Sequence, residues 1–121
     1  MSLKIAVIND PDVTAVVVTT PGAFHKEPVI AAIEAGKPVF SEKPLANTAA
    51  DCKAVVDAEM ASGKHLVQVG FMRRYDRGYR QVKELIDSGK FGAPMVIKCT
   101  HRADGVAPDY TTAMAVTDTA I

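Results

Sequence analysis

Short apolar runs alternate along the chain with longer segments of helical periodicity. Five strands are predicted from the runs rich in β-branched residues, at Lys4–Ile8, Ala15–Thr20, Pro38–Ser41, His65–Phe71 and Pro94–His101. The second of these runs is apolar on both faces, which is typical of a parallel strand that has helices on both sides of its sheet. An alternative interpretation takes the first run as the end of a preceding helix.

The segments between these runs carry apolar residues at the spacing of one helix face. They predict helices over Phe24–Ala35, Ala46–Ser62 and Asp76–Ser88, with Thr48 as the N-cap of the second. A Gly-Lys pair follows each helix, where glycine accepts the left-handed backbone and lysine meets the negative end of the helix dipole. The residues predicted to face the core are Val29, Ile30, Ile33, Cys52, Val55, Val56, Met60, Tyr79, Val82, Leu85 and Ile86. The other methionines are assigned to packing as well.

Repeated strand–helix–strand units with short connections predict an α/β fold with a parallel sheet. In such sheets, ligands bind beyond the carboxyl ends of the strands. The chain turns polar at these ends, which are Thr19–His25, Glu42–Leu45, Phe71–Tyr75 and His101–Asp104. We therefore expect the functional residues in these four segments.

Composition and charge exclude several classes of function. Lys+Arg and Asp+Glu number 14 each among 121 residues, so the formal net charge is 0 and no nucleic-acid partner is expected. Cys52 and Cys99 are too few for a disulfide scaffold or a zinc knuckle, and no metal site is expected. No apolar stretch approaches the roughly 20 residues that span a bilayer, and no signal-peptide pattern opens the chain. These features predict a single modest domain in the cytoplasm, without a membrane partner.

The most informative motif is Glu42-Lys43-Pro44, at the end of the third predicted strand. Pro44 restricts Lys43 to extended backbone and permits a cis peptide bond. A partly desolvated lysine beside a developing alkoxide can act as an acid or base, or can stabilise the negative charge. The alternative is a solvated ion pair beside a turn.

The other strand ends carry weaker signals, each with a structural alternative. Pro21-Gly22 can present backbone N–H groups to a nucleotide, or can simply make a tight connection. Arg73 and Arg74 can bind phosphate or carboxylate, or can be surface charges. His101 can donate to a polar substrate, or can be structural.

Together, the motifs resemble the Gfo/Idh/MocA oxidoreductases. They are Thr20-Pro21 with His25, Gly36-Lys37-Pro38-Val39 leading to Glu42-Lys43-Pro44, and Val69-Gly70-Phe71-Met72-Arg73-Arg74-Tyr75-Asp76. Tyr110-Thr111-Thr112 and Asp118-Thr119 narrow the resemblance to the inositol 2-dehydrogenase branch. It extends from about residue 9 to residue 121. The resemblance implies a Rossmann-like domain over 1–93, the second half of a dinucleotide-binding fold, followed by the start of an α/β substrate domain over 94–121.

The resemblance also implies hydride transfer between NAD and a hydroxyl carbon of a cyclic polyol or sugar, in a homo-oligomer, with NADP as the alternative cofactor. Lys43 would be the catalytic lysine, and Asp118 would orient a catalytic histidine. The residues implied to bind the cofactor are Thr20, Pro21, His25, Glu42, Lys43, Met72 and Arg73. Those implied to bind the substrate are Lys43, Arg73, His101, Asp118 and Thr119.

The sequence departs from the family pattern in three respects. The Gly-x-Gly-x-x-Gly phosphate turn is absent, and the histidine expected four residues after Asp118 would follow Ile121. The family's His-Arg-Asn-Pro reads His101-Arg102-Ala103-Asp104 here, and the acidic residue expected before Met114 is Ala113. We therefore expect an incomplete form of such an enzyme, inactive by itself. The alternatives are a related sugar or deoxy-sugar dehydrogenase and a non-catalytic α/β module that associates through unpaired strands.

Overall fold

Three parallel strands form an open sheet in the computed structural model, which describes residues 3–100. The strands are β1 (Val16–Val18), β2 (Val39–Glu42) and β3 (Val67–Gly70), adjacent in that order. Val18 pairs with Ser41, and Glu42 pairs with Gly70. The carboxyl ends of the strands therefore share one edge of the sheet, and the predicted α/β fold with a parallel sheet is confirmed.

Four helices accompany this sheet in the described residues. They are α1 (Leu3–Ile8), α2 (Lys26–Glu34), α3 (Ala49–Ser62) and α4 (Arg77–Asp87), with short 3-10 turns at Gly22–Phe24 and Met72–Arg74. Thr48 is the N-cap of α3 as predicted, because its hydroxyl accepts the Asp51 N–H at 3.1 Å. Gly36, Gly63 and Gly89 have φ angles of 69°, 66° and 66°, which confirms the predicted left-handed helix ends.

The core lies between one face of the sheet and helices α1 to α3. Its buried members are Ile8, Val18, Val29, Ala32, Ile33, Val39 and Val55. The opposite face of the sheet is open in the described part of the chain, since Val17 on β1 is 68% exposed. The prediction that helices cover both faces of this strand is therefore wrong for residues 3–100.

Residues 4–8 belong to helix α1, so the predicted first strand is wrong, and the helical character of this run in the alternative interpretation is confirmed. Ile8 packs into the core, which anchors this helix to the sheet. The ammonium of Lys37 donates to the carbonyl oxygens of Ile8 and Asp10, at 2.6 Å each. Lys37 therefore caps the end of α1 rather than α2, the helix that it follows in sequence.

The buried face of α3 is narrower than the face predicted from its apolar pattern. Val55 is buried and Cys52 is half-buried, but Val56 and Met60 are exposed. The cause is geometric: α3 packs mainly on α2 and enters the buried core through Val55, so the neighbouring apolar row faces outward. Met72 and Met95 are also exposed, so the assignment of the described methionines to packing is wrong.

The chain after β3 packs little against the rest of the described structure. Residues 94–100 of the predicted fifth strand form no strand and are exposed. A strand requires a neighbour to pair its backbone groups, and within residues 3–100 these residues have none. The predicted core face of α4 is also exposed, at Tyr79, Val82, Leu85 and Ile86, because no second surface covers it within residues 3–100.

Asp51 joins α2 to the first turn of α3. Its Oδ1 lies 2.6 Å from the ammonium of Lys26, and its Oδ2 accepts the Thr48 hydroxyl at 2.8 Å. The hydrogen bond from Lys26 is the main cause that lowers the pKa of Asp51. A carboxyl group with a lowered folded-state pKa adds stability above its unfolded-state pKa, and this stability is lost as the pH falls through the folded value.

We predict that Asp51→Asn reduces the acid dependence of stability. The free energy of unfolding, measured by urea titration, falls less steeply between about pH 5 and pH 2 in the variant than in the wild type. Asp12→Asn, on an exposed turn, is the matched control. Parallel pH profiles for Asp51→Asn and the wild type would contradict this assignment.

Candidate functional site

The candidate site lies at the carboxyl edge of the sheet, where the loops after β1 and β2 meet. His25 joins the two loops. Its Nδ1 lies 2.6 Å from the carbonyl oxygen of Pro44, and its Nε2 lies 2.5 Å from the carbonyl oxygen of Thr20. The side chain is buried, at 1% exposure. One imidazole therefore connects the ends of two neighbouring strands.

Gly22 allows the loop after β1 to approach the loop after β2 closely. A Cβ atom at Gly22 would lie 2.9 Å from Pro44 Cγ and 3.0 Å from Asn47 Oδ1. The Pro21-Gly22 turn thus rests against Pro44. The Lys43–Pro44 peptide bond is cis, as the sequence permitted.

We predict that Gly22→Ala lowers the free energy of unfolding by about 1–3 kcal/mol, because the added methyl group overlaps the Pro44 ring. Urea titration measures this change. The same methyl group pushes the two loops apart, so the backbone amide resonances of Lys43 and Leu45 also shift. A variant with the stability and resonances of the wild type would show that the two loops are not in close contact.

Glu42 and Lys43 lie at the end of β2. Glu42 Oε2 accepts the backbone N–H of Lys43 at 3.2 Å, which orients the carboxylate beside the lysine. On β3, Gly70 is the partner of Glu42, and a Cβ atom there would lie 2.7 Å from Phe40 Cζ. The glycine leaves room for the Phe40 ring, and the Glu42 Oε1 would lie 3.4 Å from the same Cβ atom.

Met72 and Arg73 follow β3 at the same edge of the sheet, and both are exposed. The guanidinium carbon of Arg73 lies 5.0 Å from the centroid of the Tyr79 ring, a cation–π contact with α4. This contact directs Arg73 toward α4. The end of β3 therefore has no part in the His25 bridge, which joins only the loops after β1 and β2.

Three of the residues predicted for the site, His101, Asp118 and Thr119, lie outside the described residues, as do Ala103 and Ala113. Within residues 3–100, no cluster of histidine, cysteine and acidic side chains could hold a metal ion. In the same range, no helix has the length and apolar character needed to cross a membrane. The described site thus consists of the three strand ends alone.

Sequence reasoning missed the contacts that hold the site together. The packing of Gly22 against Pro44 was not predicted, nor was the hydrogen bond between the His25 ring and the Pro44 carbonyl. No sequence signal identifies which carbonyl a histidine ring will meet. The only available signal was position, since both segments follow parallel strands and must reach the same edge.

The side chains at this edge suit a ligand rich in hydroxyl groups. The Glu42 carboxylate accepts hydrogen bonds and the Lys43 ammonium donates them. These two functions match the ribose of a nucleotide and the hydroxyl groups of a polyol. A parallel α/β sheet with such groups beyond its carboxyl ends is characteristic of nucleotide-binding proteins of the Rossmann type.

Comparison with known families and structures agrees with this class. Residues 2–71 match the GFO_IDH_MocA family, described as an oxidoreductase family with an NAD-binding Rossmann fold. The chain therefore belongs to the Gfo/Idh/MocA oxidoreductase family. The predicted membership and the Rossmann-like fold are confirmed.

Its relatives include inositol dehydrogenases. The chain is 60% identical to inositol 2-dehydrogenase of Pseudomonas fluorescens strain SBW25, over 96% of this chain and 34% of that protein. It is similar to the crystal structure of myo-inositol dehydrogenase from Lactobacillus casei in complex with NAD(H) and myo-inositol, with a TM-score of 0.89 and 43% identity over 95% of this chain and 34% of that one. Scyllo-inositol dehydrogenase from the same organism, with NAD(H) and scyllo-inositol, has a TM-score of 0.70 and 34% identity over 75% of this chain and 27% of that one. The chain spans about a quarter to a third of the length of these relatives.

Proposed function

We propose that the chain is part of an NAD-dependent oxidoreductase of the inositol 2-dehydrogenase type. The reaction is hydride transfer between NAD and a hydroxyl carbon of a cyclic polyol. The observation that carries this proposal is the position of Glu42-Lys43-Pro44 at the carboxyl edge of the sheet, joined to the end of β1 by His25. The 60% identity to an inositol 2-dehydrogenase supports the choice of substrate class.

NAD fits the chemistry of the described strand ends. Glu42 supplies an acceptor for ribose hydroxyl groups, and its carboxylate is oriented by the Lys43 N–H. When bound, NAD supplies the nicotinamide carbon that accepts the hydride. The residues proposed to hold it are Thr20, Pro21, Glu42, Lys43, Met72 and Arg73. His25 contributes through the backbone that it holds, and NADP remains the alternative cofactor.

Lys43 is the proposed catalytic group of the described site. Its ammonium donates a hydrogen bond to the oxygen of the reacting hydroxyl group. As the proton leaves that oxygen, the positive charge of Lys43 stabilises the alkoxide that develops. Arg73, at the neighbouring strand end, is proposed to border the nicotinamide and the substrate.

The remaining proposed site residues follow the described part of the chain. His101, Asp118 and Thr119 contact the polyol, and Asp118 orients a catalytic histidine of the complete gene product. The proposed domain boundary separates a nucleotide-binding domain over 1–93 from the start of a substrate domain over 94–121. The complete protein is a cytoplasmic homo-oligomer in this proposal, and the 121-residue chain does not turn over alone.

A substrate panel tests the proposed substrate class on the complete gene product. NADH formation is followed with myo-inositol, with scyllo-inositol and with a set of sugars and deoxy-sugars. The proposal expects the highest kcat/KM for an inositol. A preference for a sugar would favour the related sugar dehydrogenases, an alternative supported by Ala103 and Ala113 at positions where the family has polar groups.

A non-catalytic association module is the second candidate. It is favoured by the exposed Val17 on the open sheet face and by the exposed apolar side chains of α4. Size-exclusion chromatography of the purified protein, its intact mass and a titration with NADH distinguish the two candidates. Dimers that bind no NADH would favour the module, whereas NADH binding in the micromolar range would contradict it.

A further inference from the structure

We propose that His25 is the positioning residue for Lys43, because its imidazole bridges the carbonyl oxygens of Thr20 and Pro44. The catalytic consequence rests on the dehydrogenase function proposed above, whereas the bridge itself does not. His25 is thereby assigned a role that is distinct from contact with a ligand.

The geometry of the ring supports a bridge rather than a ligand contact. At 1% exposure, the imidazole has almost no surface that a cofactor could touch. Both of its nitrogens are occupied by protein carbonyl oxygens, at 2.6 Å from Pro44 and 2.5 Å from Thr20. Neither ring nitrogen is therefore left to form a hydrogen bond with a ligand.

The two carbonyl groups belong to different strand ends, so the bridge fixes one strand end relative to the other. Thr20 follows β1, and Pro44 follows β2 directly after Lys43. A carbonyl oxygen only accepts hydrogen bonds, so the imidazole is the donor in this bridge. The ring thus sets the distance between the Lys43–Pro44 segment and the end of β1.

Gly22 supports the same arrangement independently. Its missing Cβ allows the β1 loop to rest against the Pro44 ring, at a distance where a methyl group would clash. Pro44 is thus held by packing on one side and by a hydrogen bond to its carbonyl on the other. With its neighbour fixed in this way, the backbone of Lys43 has a defined place at the site.

The bridge is tested first without any activity, by NMR of the 121-residue chain. We expect a ring N–H of His25 to exchange slowly with solvent, in contrast to the ring of the exposed His65. His25→Leu shifts the amide resonances of Lys43 and Leu45, and His65→Leu leaves them in place. A His25 ring proton that exchanges as fast as that of His65, or unshifted Lys43 and Leu45 amides in His25→Leu, would overturn the bridge.

The catalytic consequence is tested on the complete gene product by steady-state kinetics. His25→Leu lowers kcat by about 10–100-fold with little change in the KM for substrate, as expected when a catalytic group is misplaced. His25→Asn retains a donor near the Nδ1 position and His25→Gln one near the Nε2 position, so each falls between the wild type and His25→Leu. Val55→Ala, a core variant in α3, controls for lost stability and leaves kcat unchanged at a temperature where all variants are folded.

The kinetic outcomes separate this proposal from the proposed function. A kcat of His25→Leu equal to that of the wild type would overturn the positioning role. A wild type that oxidises no cyclic polyol or sugar would instead overturn the proposed function, while the NMR result would still decide whether the bridge exists.

Discussion

Lys43→Met is expected to lower the rate of polyol oxidation by the complete gene product by about 10²–10⁴-fold, the range for loss of a group that assists proton transfer. Methionine keeps most of the length of the side chain but removes the ammonium. The alkoxide that develops on the substrate then loses its hydrogen-bond donor and its neighbouring positive charge. Steady-state measurement of kcat and KM with NAD and myo-inositol gives the size of the effect.

Lys64→Met is the matched control for this variant. Lys64 is exposed and follows α3, at the amino end of β3, whereas the site lies at the carboxyl ends of the strands. The Lys64→Met variant loses the same charge as Lys43→Met and is expected to keep the activity of the wild type. Comparable rates for Lys43→Met and the wild type would remove Lys43 from the proposed mechanism.

Ile33→Ala is expected to cause the largest loss of stability among the core variants, about 2–5 kcal/mol. Ile33 is 4% exposed and packs in the core cluster with Val29 and Val55. Its truncation removes apolar contacts between α2 and the rest of the core, and leaves a cavity that the packed neighbours fill only in part. Denaturant unfolding of the variant and the wild type measures the difference.

Val17→Ala is the control that separates a core effect from a general effect of apolar truncation. Val17 lies on β1 but faces the open side of the sheet, at 68% exposure. We expect a change within about 0.5 kcal/mol, as for most exposed positions. If Val17→Ala were as destabilising as Ile33→Ala, the described assignment of the two sheet faces would be wrong.

The strands and helices that pack on one another could be predicted from the sequence. The runs at β1, β2 and β3 combine β-branched residues with flanking turn residues, and these local signals coincide with the burial of Val18 and Val39. The helix ends were equally local, because a glycine with a left-handed backbone terminates α2 and α3. Local chemistry determines such features, so the sequence is sufficient.

The errors have a common physical cause, which is the dependence of an element on its neighbours. Residues 4–8 have the composition of a strand, yet they form a helix that Lys37 caps from the loop before β2. The apolar face of α4 was read as core, but burial requires a second surface, and the described residues offer none to Leu85 or Ile86. Apolar periodicity shows which face can be buried and does not identify the surface that covers it.

The candidate site was predictable in position but not in its internal contacts. Parallel strands bring their carboxyl ends to one edge, so the grouping of Thr20, Glu42 and Lys43 followed from the predicted topology. The His25 bridge joins residues that are distant in sequence through two backbone carbonyl groups. Backbone carbonyls are present at every residue, so no pattern of side chains can identify the two that a histidine will meet.

The most direct test of the central claim follows a hydrogen atom from the substrate carbon to the cofactor. The complete gene product is incubated with NAD and with myo-inositol deuterated at its hydroxyl-bearing carbons, and the NADH formed is analysed by mass spectrometry. The account predicts NADH that carries one deuterium, and strongly reduced formation of it by Lys43→Met. NADH without deuterium, or no NADH with any cyclic polyol or sugar, would contradict the claim that these strand ends belong to a polyol dehydrogenase.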